Sequence, residues 1–166
     1  MKAYELYATM SPQLPTLQFE WMRDQERELY KTAIATLAEK KKLRPVFITK
    51  KSVPDQIAWL TKQLSSKQTE MVGEHLLQAW FMNGQQDMLV TFCDAMGIEH
   101  DGKGAVQEEL PENLDAEKLT LAVDNLFAKF PANLTSLYLY VFNLQTHKGW
   151  DSLSKILSED ERISLN

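Results

Sequence analysis

The sequence predicts an all-α fold, an array of about six to eight helices packed as antiparallel hairpins in an irregular bundle or a short solenoid-like stack. Apolar residues recur three and four positions apart along most of the chain, which is the spacing of a helix with one buried face. Residues that favour helix ends separate these stretches. With 166 residues, 44% of them apolar, the chain is long enough to form a single domain, residues 1–166, with its own core.

The first predicted helix is long, from about residue 13 to residue 42, and is interpreted as an arm that folds semi-independently. A polar, charge-alternating turn between Arg23 and Glu28 interrupts its apolar stripe. The helix should end at Arg44, because the residue before a proline is disfavoured in the helical region. Residues 46–49, Val-Phe-Ile-Thr, are then predicted to form a short extended segment.

Capping residues predict the helices in the middle of the chain. Ser52 can cap a helix that continues to Leu64. The next helix should span residues 67–83, and a shorter partner should follow the Asn-Gly break and continue to residue 96. Gly97 suits a left-handed helix stop.

An acidic loop of about residues 99–114 is predicted to separate these helices from the last ones. Asp115 can cap a helix that ends before Pro131. The run 137–142 has the tyrosine alternation of a strand, but its flanks extend it past usual strand length, so a helix is the preferred interpretation. A final short helix should cover residues 150–157.

Two stretches, Leu76–Met96 and Leu126–Gln145, share a helix–break–helix pattern at an offset of about 49 residues. A repeated helical pair usually builds a scaffold whose surfaces carry the function. The breaks differ, Asn-Gly in one and Pro-Ala-Asn in the other, which weakens the argument for a true duplication. We therefore interpret both stretches as hairpins that form the core.

The net charge of −5 is distributed unevenly. From Lys31 to Lys67, nine basic residues oppose two acidic ones, so this region carries +7 and the remainder −12. No apolar run approaches the ~20 residues of a membrane span, and the first residues lack the features of a signal peptide. The single cysteine, Cys93, cannot form an intramolecular disulfide. We therefore expect a soluble, cytoplasmic protein that does not contact a membrane.

A basic segment is the candidate binding site. Clustered cations favour phosphate binding, and the intervening Phe47 could stack on a base. Two other interpretations stay open: lysines that complement a helix dipole before a solvated linker, and a contact with the acidic loop within the chain or across a dimer. The candidate residues are Lys40, Lys41, Lys42, Arg44, Lys50 and Lys51.

Signatures of catalysis are absent from the sequence. There is no nucleophile elbow or phosphate-binding glycine loop, and Cys93 has no electropositive neighbour in sequence. His75 lacks the Glu-x-x-His spacing of a di-iron site. We therefore expect neither a cofactor nor a metal.

The leading hypothesis is a non-enzymatic domain for protein–protein interaction or scaffolding, which binds another protein or a second copy of itself. One alternative is nucleic-acid or polyanion binding through residues 40–51. The other alternative is an enzyme or a small-ligand carrier with an aromatic pocket lined by Tyr138, Tyr140 and Trp150.

Overall fold

The computed structural model describes every residue from Met1 to Asn166, and 70% of them are helical. It contains no β-strand, which confirms the all-α prediction; ten α-helices form where six to eight were predicted. None of these helices combines the length and the apolar character that a membrane-spanning helix requires. The helices are α1 (Ala3–Thr9), α2 (Gln13–Gln25), α3 (Arg27–Lys40), α4 (Val46–Thr49), α5 (Val53–Leu64), α6 (Glu70–Gly84), α7 (Gln86–Met96), α8 (Ala116–Lys129), α9 (Ala132–Thr146) and α10 (Asp151–Glu159).

The chain divides into two units, Met1–Leu76 and Leu77–Asn166, and the boundary falls inside α6. We call them the N-terminal unit and the C-terminal unit. That the whole chain forms a single domain stays a prediction.

In the N-terminal unit, α1 packs on α5, and α2 packs on both α3 and α5. The buried Tyr7 hydroxyl donates a hydrogen bond to Gln18 Oε1 at 2.9 Å. The Glu70 carboxylate accepts hydrogen bonds from the backbone N–H groups of Ala3 and Tyr4, both at 2.9 Å. Because the first N–H groups of a helix have no partner within it, Glu70 caps α1.

The predicted long helix over residues 13–42 is wrong, since two helices meet at Glu26 with φ −132° and ψ 55°. The charged turn around Glu26 has no apolar side chain that could pack in the core, so no core contact favours a continuous helix there. At the bend, the Phe19 and Tyr30 rings make an edge contact at 6.5 Å, and the Arg23 guanidinium lies 5.9 Å from the Tyr30 ring. Packing across the bend thus replaces the continuous helix.

The extended segment predicted at residues 46–49 is also wrong, because these residues form α4. Pro45 adopts φ −53° and ψ −30°, which suits the start of a helix, where its missing N–H costs nothing. The backbone then closes helical hydrogen bonds, including Thr49 N–H to Pro45 O at 3.0 Å. No strand is present to pair with an extended segment, and the helical turn lets Ile48 become buried.

In the C-terminal unit, α7 packs most extensively on α8, while α10 packs on α8 and α9. The run 137–142 lies within α9, which confirms the helical interpretation. Asp115 caps α8 by accepting hydrogen bonds from two backbone N–H groups, and Gly97 ends α7 with φ +67°, both as predicted. Both predicted hairpins are helix–break–helix, with the breaks at Gln85 and Pro131; their origin by duplication stays a prediction.

The acidic loop lies between α7 and α8 and contains no helix. Its first part is a closed turn, because Asp101 N–H donates to Ala105 O at 3.0 Å and Gln107 N–H donates to Glu99 O at 3.1 Å. Inside the turn, the Asp101 carboxylate accepts hydrogen bonds from the N–H groups of Lys103 and Ala105. These bonds stabilise the charged carboxylate and lower the pKa of Asp101.

Candidate functional site

The predicted basic residues follow one another along the end of α3, a tight turn and α4. Together with the residues between them we call them the basic–apolar segment, residues 40–51. It begins with a helix-terminating turn in which Lys42 N–H donates to Glu39 O and Leu43 N–H donates to Ala38 O, both at 2.9 Å. This pair of bonds is a Schellman motif, which satisfies two of the carbonyl groups that a helix end leaves unpaired.

Lys42 occupies the left-handed position of this motif, with φ +55°. Glycine is the usual residue there, because a side chain on an L-residue costs about 1–2 kcal/mol in this conformation. The chain therefore keeps a cationic side chain at a position where glycine would be more stable.

Three large apolar side chains lie exposed among the cations. Leu43 is 41% exposed, Val46 43% and Phe47 60%. Val46 and Phe47 precede Lys50 by four and three residues, which are the separations of side chains that neighbour each other on a helix surface. The result is an apolar surface flanked by positive charge, whereas the other large apolar residues exposed in this unit, Met1, Leu17 and Met71, are far apart in the sequence.

Two buried side chains hold α4 in place. Ile48 is 2% exposed and is the only buried residue between Glu39 and Lys51. Gln56, on α5, is 8% exposed and donates two hydrogen bonds from Nε2, to Thr49 O at 3.2 Å and to Lys51 O at 2.9 Å. Its Oε1 accepts a hydrogen bond from the Tyr30 hydroxyl at 2.7 Å. Gln56 therefore ties the end of α4 to α3 and α5.

The six cations are exposed, and none of them forms an ion pair within the N-terminal unit. Glu39 is the one acidic residue between residues 39 and 51, so the local balance is strongly positive. Exposed charges of one sign raise the rate at which oppositely charged molecules meet a surface.

The predicted cations lie along one continuous stretch of the chain. Lys40 is the last residue of α3, Lys41 follows as its cap, Arg44 precedes Pro45, and Lys50 and Lys51 follow α4. Sequence reasoning missed the exposure of Leu43 and Val46. It also missed Gln56, for which the sequence carries no signal, because a polar residue beside an apolar stripe looks the same whether buried or exposed.

The three residues of the predicted aromatic pocket are not gathered around one opening. Trp150 is 3% exposed, donates from Nε1 to Pro111 O at 3.1 Å, and stacks on Phe142. The Tyr140 hydroxyl lies 3.4 Å from Leu157 O. Of the three, Tyr138 lines a cavity of the C-terminal unit.

No family model matches the sequence, and neither a curated protein nor a solved structure is significantly similar to it.

Proposed function

We propose that the chain is a protein-interaction domain whose basic–apolar segment binds an acidic, amphipathic segment of a partner protein. The observation that carries this proposal is the exposure of Leu43, Val46 and Phe47 among six unpaired cations. Protein interfaces combine an apolar centre, which supplies most of the binding free energy, with a charged or polar rim. An acidic amphipathic helix offers the complement of both parts.

The same surface favours a protein over a nucleic acid. Single-stranded nucleic acid gains from cations and from aromatic rings on which bases stack. Phe47 is the one aromatic residue in the segment, whereas Leu43 and Val46 are aliphatic and offer no stacking face. Two of the three exposed apolar side chains would thus make no stacking contact with a nucleic acid, but all three can pack against apolar side chains of a protein.

The test is fluorescence anisotropy with two labelled probes. One is an acidic helical peptide with leucines at i, i+3 and i+4 spacing and glutamates elsewhere, and the other is an oligouridine RNA. The peptide should bind, and Phe47→Ser should weaken that binding by about tenfold or more, as expected for an apolar hot spot. The matched control is Leu17→Ser, which removes another exposed apolar side chain of the same unit, 51% exposed, and should leave the affinity unchanged.

Two results would overturn the proposal. One is peptide binding that falls equally in Phe47→Ser and Leu17→Ser. The other is RNA that binds more tightly than the peptide and keeps its affinity in Phe47→Ser, which would assign the cations to phosphate contacts. Self-association would appear as a concentration-dependent sedimentation coefficient, and its loss in Phe47→Ser would assign this surface to a second copy of the chain.

A substitution at Lys42 distinguishes a role in binding from a role in stability. Lys42→Gly removes the strain of a left-handed lysine but adds the conformational entropy of a glycine, so we expect a net gain in stability of about 0.5–1 kcal/mol. The same variant loses a cation and should bind the acidic peptide more weakly. A variant that is more stable and binds equally well would show that Lys42 takes no part in recognition.

A further inference from the structure

The C-terminal unit contains a cavity of about 420 Å³ that the basic–apolar segment does not touch. Its walls come from the C-terminal half of α6, from α7, from the acidic loop that follows α7, and from α9 with Lys148 just after it. Cavities that hold small ligands in proteins have volumes of about 300–1,000 Å³. This one is therefore large enough for a small organic molecule.

The lining is mainly apolar and aromatic. Phe81 and Tyr138 lie 5.5 Å apart between ring centroids, and Tyr138 and Phe142 lie 6.0 Å apart, so three rings that line the cavity form a continuous series. Aliphatic side chains, including Leu89 and Val106, complete the surface. Such walls stabilise a bound molecule by removing its apolar surface from water.

The polar groups of the lining do not select a hydrogen-bonding ligand. Gln145 lines the cavity, but its Nε2 is buried and has no hydrogen-bond partner. Because neither water nor a ligand atom reaches a buried nitrogen, this donor is not available to a molecule in the cavity. The lining therefore offers a bound molecule mainly apolar contacts.

The charges of the lining cancel. Glu108 and Lys148 are its two charged residues, one of each sign. A ligand with a net charge would thus be attracted by one of these residues and repelled by the other, whereas a neutral ligand is neither attracted nor repelled.

We propose that this cavity binds a neutral, mainly apolar or aromatic small molecule. The aromatic walls supply the affinity for the ligand. The site lies wholly in the C-terminal unit and makes no use of the surface proposed to bind protein.

The test is a fluorescence titration with 6-propionyl-2-(dimethylamino)naphthalene, a neutral aromatic ketone whose emission shifts to the blue in apolar surroundings. We expect saturable binding at one site, weakened by about tenfold or more in Val106→Trp, which fills the cavity from a partly exposed position. The matched control is Leu121→Trp, on the exposed face of α8 and outside the lining, which should bind as the unchanged protein does.

Failure of the ketone to bind, or undiminished binding in Val106→Trp, would overturn the site itself.

Discussion

Replacing Gly104 by alanine should destabilise the C-terminal unit more than any comparable change in the acidic loop. Gly104 has φ +90°, a conformation that L-residues with a side chain rarely adopt and that costs about 1–3 kcal/mol. A methyl group at this position would also overlap Leu89 Cβ and lie 3.2 Å from the backbone nitrogen of Val90. Because α7 cannot move away without losing its packing on α8, overpacking adds about 1–3 kcal/mol. The expected loss is about 2–6 kcal/mol.

Gly102→Ala is the matched control for this prediction. Gly102 has a similar backbone, φ +88°, but a Cβ there would meet no atom within 4 Å, so that variant should lose only the conformational part, about 1–3 kcal/mol. Urea unfolding is followed by tryptophan fluorescence after Trp21 and Trp59 are changed to phenylalanine, which leaves only the tryptophans of the C-terminal unit. The midpoint should fall further for Gly104→Ala at an unchanged slope. Equal losses in the two variants would refute the close approach to Leu89.

Three further changes test the packing of the two units. Glu70→Ala removes the acceptor for two N–H groups of α1 and should lower the free energy of unfolding in urea by about 1–2 kcal/mol. The control Glu74→Ala should lower it little. Similar losses in the two variants would contradict the capping role of Glu70. Burial raises the pKa of the Cys93 thiol to about 11 from 9.0. Because the thiol ionises at a lower pH in the unfolded chain than in the folded protein, the stability that the neutral thiol contributes is full below pH 9 and is lost as pH rises to 11. Unfolding free energies measured across that range should therefore fall less in Cys93→Ala, and parallel curves for the two proteins would exclude this linkage. Gln56→Leu leaves the Tyr30 hydroxyl and two carbonyl groups unpaired, which should lower the free energy of unfolding by about 2–4 kcal/mol and speed amide hydrogen exchange in α4. Unchanged exchange in α4 would show that Gln56 does not hold this helix.

Helix ends were predictable where one side chain meets the backbone within a few residues. Ser52 accepts a hydrogen bond from Asp55 N–H, Asp115 accepts from Glu117 and Lys118, and Gly97 takes the left-handed stop. These contacts depend on neighbours along the chain, so the sequence pattern contains them.

The elements that were predicted wrongly depend on distant contacts. The bend at Glu26 follows from the packing of Phe19 against Tyr30 across two helices, and α4 depends on the burial of Ile48 and on hydrogen bonds from Gln56. A four-residue apolar run such as 46–49 has no periodicity of its own, so helix and strand cannot be told apart until its partners are known.

The candidate site divides in the same way. Its cations were evident from composition, because lysine and arginine side chains are usually exposed wherever they occur. The exposure of Val46 and Phe47 was not evident, since a sequence does not show which apolar face lacks a partner. The cavity in the C-terminal unit was anticipated only through Tyr138, because its other walls come from segments far apart in the chain.

The exposed apolar residues of the basic–apolar segment belong to a fixed surface rather than a loose loop. The Schellman turn sets the chain direction before it, Ile48 anchors its centre, and Gln56 holds its end. A surface that is already ordered loses less conformational entropy when a partner binds, so its apolar contacts contribute more to affinity. Gln56→Leu should consequently weaken binding of the acidic peptide, although Gln56 is buried and contributes no side chain to the exposed surface. If that variant loses stability but binds the peptide as before, then exposure alone, and not preorganisation, accounts for recognition.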